Sequence, residues 1–103
     1  MEVKHIFNTQ GRWVAFIVGK NIFLADDLTW FGWLDGVEVY SPTGEYIGFL
    51  SDDGRILCKI PRPIKPLRGV SPLPPLPPLP PLPPLPQVPK TLPLGVIDVL
   101  ADE

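Results

Sequence analysis

The chain has 103 residues, 16 of them proline and one of them cysteine, and its formal net charge is −2. With eight acidic and five basic residues up to Ile60, the charge argues against a nucleic-acid-binding head, and a single cysteine, Cys58, excludes an intramolecular disulfide. No apolar run reaches the roughly 18 residues of a spanning helix, and Met1-Glu2-Val3 opens no secretory signal, so a soluble, cytoplasmic protein is expected.

The first part of the chain, residues 1–60, carries a repeat. Ile6-Phe7 is followed by a turn at Gly11 and then by Val14-Ala15-Phe16-Ile17. Ile22-Phe23 leads to Phe31-Gly32-Trp33-Leu34, and Val39-Tyr40 leads through Gly44 to Ile47-Gly48-Phe49-Leu50. Each unit is an aliphatic–aromatic couple, a turn, and an apolar–small–aromatic–aliphatic quartet. Short β-branched and aromatic runs bounded by Gly, Asp, Asn and Ser read as strands joined by tight turns, so each unit is a β-hairpin. Asp35-Gly36 reads as a type I′ turn, and Asp53-Gly54 resembles it. Between Leu24 and Trp30 an insertion holding Asp26-Asp27 widens one connection. A fourth unit opens at Arg55-Ile56-Leu57 and then runs into proline.

Two sets of repeat positions are candidate functional residues. Ala15, Gly32 and Gly48 leave room either for a crowded symmetry axis or for packing notches under neighbouring rings. Phe16, Trp33 and Phe49 share the next position, where they form either core or an apolar ring about the axis able to take a hydrophobic ligand. Trp13, Trp30 and Tyr46 fall outside the quartets and suit an exposed interface.

These motifs (Gly11-x-x-Val14-Ala15-Phe16-Ile17, its echo over Phe31 to Tyr40, and Gly44-x-x-Ile47-Gly48-Phe49-Leu50 with Asp53-Gly54-Arg55-Ile56) resemble the four-fold β-flower domain family. The resemblance covers residues 4 to 60 and includes the habit of a proline-rich tail. It implies an all-β fold, a small pseudo-four-fold barrel of repeated hairpins, and brings no settled activity with it. The fourth petal needs closing, and three routes are open: Met1 to Lys4, the apolar run Gly95 to Leu100, or a second chain.

Residues 61–91 form a proline-rich arm. From Ile64 to Val88 every third residue is aliphatic, and from Pro72 to Pro86 all the others are proline. Proline lacks an N–H and fixes φ, which excludes a helix or an interior strand and leaves polyproline II, with three residues per turn. One edge of this extended or disordered segment is therefore aliphatic, and a fully extended rod would be about 75 Å long. Lys59, Arg62, Lys65 and Arg68 keep the same period and make a cationic stripe, either a solubilising linker or a contact for an anionic surface. Pro-Pro-Leu-Pro, first complete at Pro74-Pro75-Leu76-Pro77, recurs along the arm and resembles a ligand type of WW domains, against which stands a plain spacer. Residues 92–103 end the chain as a strand or a disordered end.

Catalytic chemistry is not assembled. His5 is the one histidine, Asp26-Asp27 and Asp52-Asp53 are turn carboxylates, and no phosphate-binding glycine loop or metal-ligand cluster appears. The expected function is a non-enzymatic binding or scaffold module without cofactor, whose arm docks a protein partner or acts as a spacer. The alternative is a peripheral membrane or lipid-binding protein that uses the aromatic centre and the basic stripe. Oligomerisation would help so small a head.

Overall fold

The computed structural model describes residues 3–60, 63–67 and 81–101. Eight strands run in chain order: β1 Val3–Phe7, β2 Trp13–Val18, β3 Asn21–Leu24, β4 Trp30–Asp35, β5 Glu38–Tyr40, β6 Tyr46–Leu50, β7 Ile56–Lys59 and β8 Val96–Asp98. Each pairs antiparallel with the next in one eight-stranded sheet that curls into a half-barrel. Among the described residues there is no helix. The hairpins β1–β2, β3–β4 and β5–β6 are the three petals the repeat marks. The fourth is β7–β8, with Leu57 opposite Asp98, Cys58 opposite Ile97 and Lys59 opposite Val96. Closure therefore takes the Gly95 to Leu100 route, and the proline-rich segment is the loop of the fourth hairpin.

Each aliphatic–aromatic couple sits at a register shift. The shift falls between Ile6 and Phe7, between Ile22 and Phe23, and between Val39 and Tyr40. Across from them the ladder passes over Val14, Phe31 and Ile47. A bulge adds one residue to a strand, bends it and sharpens its twist. Repeated at one position in three hairpins, it curls the sheet, and Val14, Phe31 and Ile47 pack against the core.

That core is aliphatic. Ile6, Ala15, Ile22, Val39 and Ile56 are fully buried; Ile17 joins them, and Leu34, Leu50, Val99 and Leu100 pack alongside. Neighbouring strand residues point to opposite faces. With Ala15 and Ile17 in the core, Phe16 is turned to the other face, and the rings follow that rule. Phe16 stacks on Phe23 with centroids 5.8 Å apart, and Trp33 on Tyr40 at 5.0 Å.

One five-residue turn is used three times, at Asn8–Arg12, Ser41–Glu45 and Ser51–Arg55. Its first N–H donates to the fifth carbonyl at 2.9, 2.7 and 2.7 Å, and the first side-chain oxygen accepts the fifth N–H at 2.9, 3.1 and 3.0 Å. The fourth position is Gly11, Gly44 or Gly54, each with φ between 84° and 92°, where an L side chain is strained. The widened turn after β3 places Leu28 there, at φ 62°. The turn at Gly36 differs from the expected type I′. Asp35 pairs with Glu38, so Gly36 is the first central residue, the type II′ arrangement.

Candidate functional site

The candidate site is the fourth hairpin's loop and the head surface that holds it. At the loop's base the N–H of Ile60 donates to the carbonyl of Gly95 at 2.7 Å. On the outgoing side Lys65 Nζ lies 2.7 Å from Glu38 Oε1 and 4.8 Å from the centre of the Tyr46 ring. Glu38 also accepts the Tyr40 hydroxyl at 2.5 Å, which joins this contact to the Trp33–Tyr40 stack. The hydrogen bond from Lys65 to Glu38 raises the lysine pKa, and burial raises that of Tyr46.

The returning side is bonded to the head through its backbone. The N–H of Gln87 donates to the carbonyl of Gly11 at 2.9 Å, and the N–H of Lys90 to that of Thr9 at 2.8 Å. A Cβ on Gly11 would stand 2.0 Å from the Gln87 carbonyl oxygen, so the loop backbone needs a glycine beneath it. Buried Arg55 grips both carboxylate oxygens of Asp53 from Nε, at 3.0 and 3.1 Å, and its Nη1 reaches the Thr91 carbonyl at 3.2 Å. Lys90 Nζ lies 3.3 Å from the Asp53 carbonyl. Hydrogen bonds from Arg55, helped by Ser51 and the charges of Arg55 and Lys90, hold the Asp53 carboxyl at about 2 against an ordinary 3.8. Past the loop, buried Asp98 accepts from the Thr9 N–H at 2.5 Å and the Thr9 hydroxyl at 2.6 Å, fastening β8 to the first turn.

Residues 81–90 repeat in threes. Pro81, Pro84 and Lys90 are half-buried, and Gln87, in the same phase, is bonded through its backbone. The next edge faces solvent: Leu82, Leu85 and Val88 are 89%, 87% and 79% exposed. The sequence carries a signal for this arrangement. Gln87 and Lys90 replace proline at two positions of the head-facing edge, where an N–H is needed and proline has none.

The other expected residues fall as follows. Phe16 is buried against Phe23, Trp33 lies half-buried on Tyr40, and Phe49 lies half-buried at a groove of about 480 Å³ shared with Val37, Lys59 and Pro63. Phe16 and Trp33 thus stack on neighbouring strands' rings rather than on one another, on the face that the strand period turns away from the aliphatic cluster. Ala15 is in that core, whereas Gly32 and Gly48 meet backbone: a Cβ would stand 2.2 Å from the Tyr40 oxygen and 2.3 Å from that of Leu57. Tyr46 is buried under Lys65, Trp13 packs edge-on with His5, and the Trp30 indole N–H donates to Gly32 at 2.8 Å. In the stripe, Lys59 is exposed and Lys65 is engaged, while Arg62 and Arg68 lie outside the described residues, as does Pro74-Pro75-Leu76-Pro77. The copy Pro83-Pro84-Leu85-Pro86 is described and has no strand or helix. Among the described residues no group of three or more His, Cys, Asp or Glu could hold a metal ion.

A family model described as 4-fold beta flower protein matches residues 1–93, which takes in β1 to β7 and the proline-rich loop. No curated protein and no solved structure matches the chain.

Proposed function

This chain belongs to the 4-fold beta flower family, and from that footing we propose that it is a non-enzymatic binding scaffold whose head holds a polyproline loop closed and offers it to a protein partner. The observation that carries this reading is the exposed aliphatic edge at Leu82, Leu85 and Val88, on a segment bonded to the head at Gln87 and Lys90. Polyproline II already has the shape in which aromatic-lined grooves take it, so docking orders little chain. Anchoring the loop at Lys65, Gln87, Lys90 and the Ile60–Gly95 bond reduces that cost further. A spacer holds two bodies apart; a loop whose ends meet on one head is poorly suited to that task. The lipid-binding alternative is weaker, because aliphatic side chains fill the centre and Lys65 is committed to Glu38 and Tyr46.

The test is a binding titration of the full chain with purified WW, SH3 and EVH1 domains. Saturable binding to one of them, abolished when Leu73, Leu76, Leu79, Leu82 and Leu85 are all changed to Ser, supports docking. Binding that survives those changes contradicts it.

A further inference from the structure

Resting on that docking reading, we propose which face of the loop is read: a partner with an uncharged, aromatic-lined groove takes residues 82–89 as Leu-Pro and Val-Pro dipeptides, while the third edge stays on the head. A polyproline II helix has three edges. The edge Pro81, Pro84, Gln87, Lys90 faces the head: Pro81, Pro84 and Lys90 are half-buried, and the exposed Gln87 is held, like Lys90, by its backbone N–H, on Gly11 and Thr9 respectively. The other two, Leu82, Leu85, Val88 and Pro83, Pro86, Pro89, are exposed throughout. Solvent therefore meets Leu82-Pro83, Leu85-Pro86 and Val88-Pro89, one dipeptide per turn, about 9 Å apart at ~3.1 Å per residue. A groove that touches two adjacent edges of the helix finds both free, and finds a hydrophobic side chain beside a proline ring at each step.

Charge selects among such grooves. Residues 81–89 carry no charged side chain. The nearest cation along the chain, Lys90, is turned to the Asp53 carbonyl and the Gln87 Oε1 atom, each at 3.3 Å. The ridge thus gives an acidic pocket nothing to bind, and it matches a neutral groove lined by aromatic rings.

The test uses the full chain, methyl-labelled and titrated with a purified WW domain, with an SH3 domain that carries an acidic specificity pocket as comparator. The expected result is saturable shifts of the Leu82, Leu85 and Val88 methyls with the WW domain only. The Gln87 and Lys90 amides keep their hydrogen-exchange protection in the complex. Loss of that protection on binding, or shifts confined to Leu73, Leu76 and Leu79, overturns the face assignment but leaves docking standing. Binding by the SH3 domain alone overturns the neutral groove. No shift of any loop methyl with WW, SH3 or EVH1 domains removes the docking reading itself.

Discussion

The backbone N–H of Ile60 points at the carbonyl oxygen of Gly95, 2.7 Å away. That bond makes the proline-rich segment a loop that begins and ends at one place on the head, and it lets β8 complete the sheet. The side chains beyond it serve the same end: Val99 and Leu100 join the core, and Asp98 is bonded to Thr9.

The returning edge depends on two amide protons that proline would remove. Gln87→Pro keeps the period of the rod and deletes the donor to Gly11. It is expected to cost about 1 kcal/mol of stability, the worth of one backbone hydrogen bond, and to raise hydrogen exchange at Lys90. Leu85→Ala, at a site 87% exposed, should change stability by less than about 0.5 kcal/mol. Equal effects in urea titrations would place the contact elsewhere.

The glycines of the second and third quartets are set by neighbouring backbone. The β2–β3 ladder runs through Ala15, whereas the β4–β5 and β6–β7 ladders begin one residue after Gly32 and Gly48. There a carbonyl leans over the glycine, 2.3 Å from where a Cβ would be at Gly48. Gly48→Ala is expected to destabilise by about 2–3 kcal/mol, as overpacking in a filled core does. A urea midpoint unchanged by this substitution would mean the backbones stand further apart.

Asp53 makes stability depend on acid. Its pKa is about 2 when folded and 3.8 ordinarily, so its contribution is complete above 3.8 and is lost as pH falls toward 2. Because solvent reaches part of the carboxylate, the loss is set at about 1 kcal/mol. Urea midpoints at pH ~5 and ~2.5 should show this fall in the native chain and a smaller one in Asp53→Asn. An equal fall in both would assign the acid sensitivity to other carboxylates.

The rings answer to a double-mutant cycle. Trp33 and Tyr40 stack at 5.0 Å, so truncating each alone and both together should give a coupling of about 0.5–1.5 kcal/mol. The same cycle for Phe16 and Trp33 should give almost none. A large coupling for the second pair would restore a ring about the axis.

The three petals were legible because aliphatic–aromatic couples and glycine turns recur at nearly constant spacing, and each couple marks a bulge. The strand period also carries the facing of the rings, against the expectation of a core or an axial ring at Phe16, Trp33 and Phe49: Phe16 lies between Ala15 and Ile17, so it shares a face with neither. The closing strand was harder to see. Val96–Asp98 is three residues long and lies far along the chain from Ile56–Lys59, and nothing local links the two. The clasp on the loop left a faint trace in Gln87 and Lys90, whereas the contacts of Arg55 with Thr9 and Thr91, and of Thr9 with Asp98, join residues whose sequence distance hides them.

Amide hydrogen exchange at Ile60 and Val99 in the full chain tests most directly whether the proline-rich segment is a hairpin loop. Val99 donates to Ile56 at 2.9 Å and Ile60 to Gly95 at 2.7 Å. If β8 closes the sheet, both amides exchange orders of magnitude below the random-coil rate, alongside the amides of β2 and β3. Exchange of both at the random-coil rate, with β2 and β3 still protected, would make the segment a free tail and contradict the account.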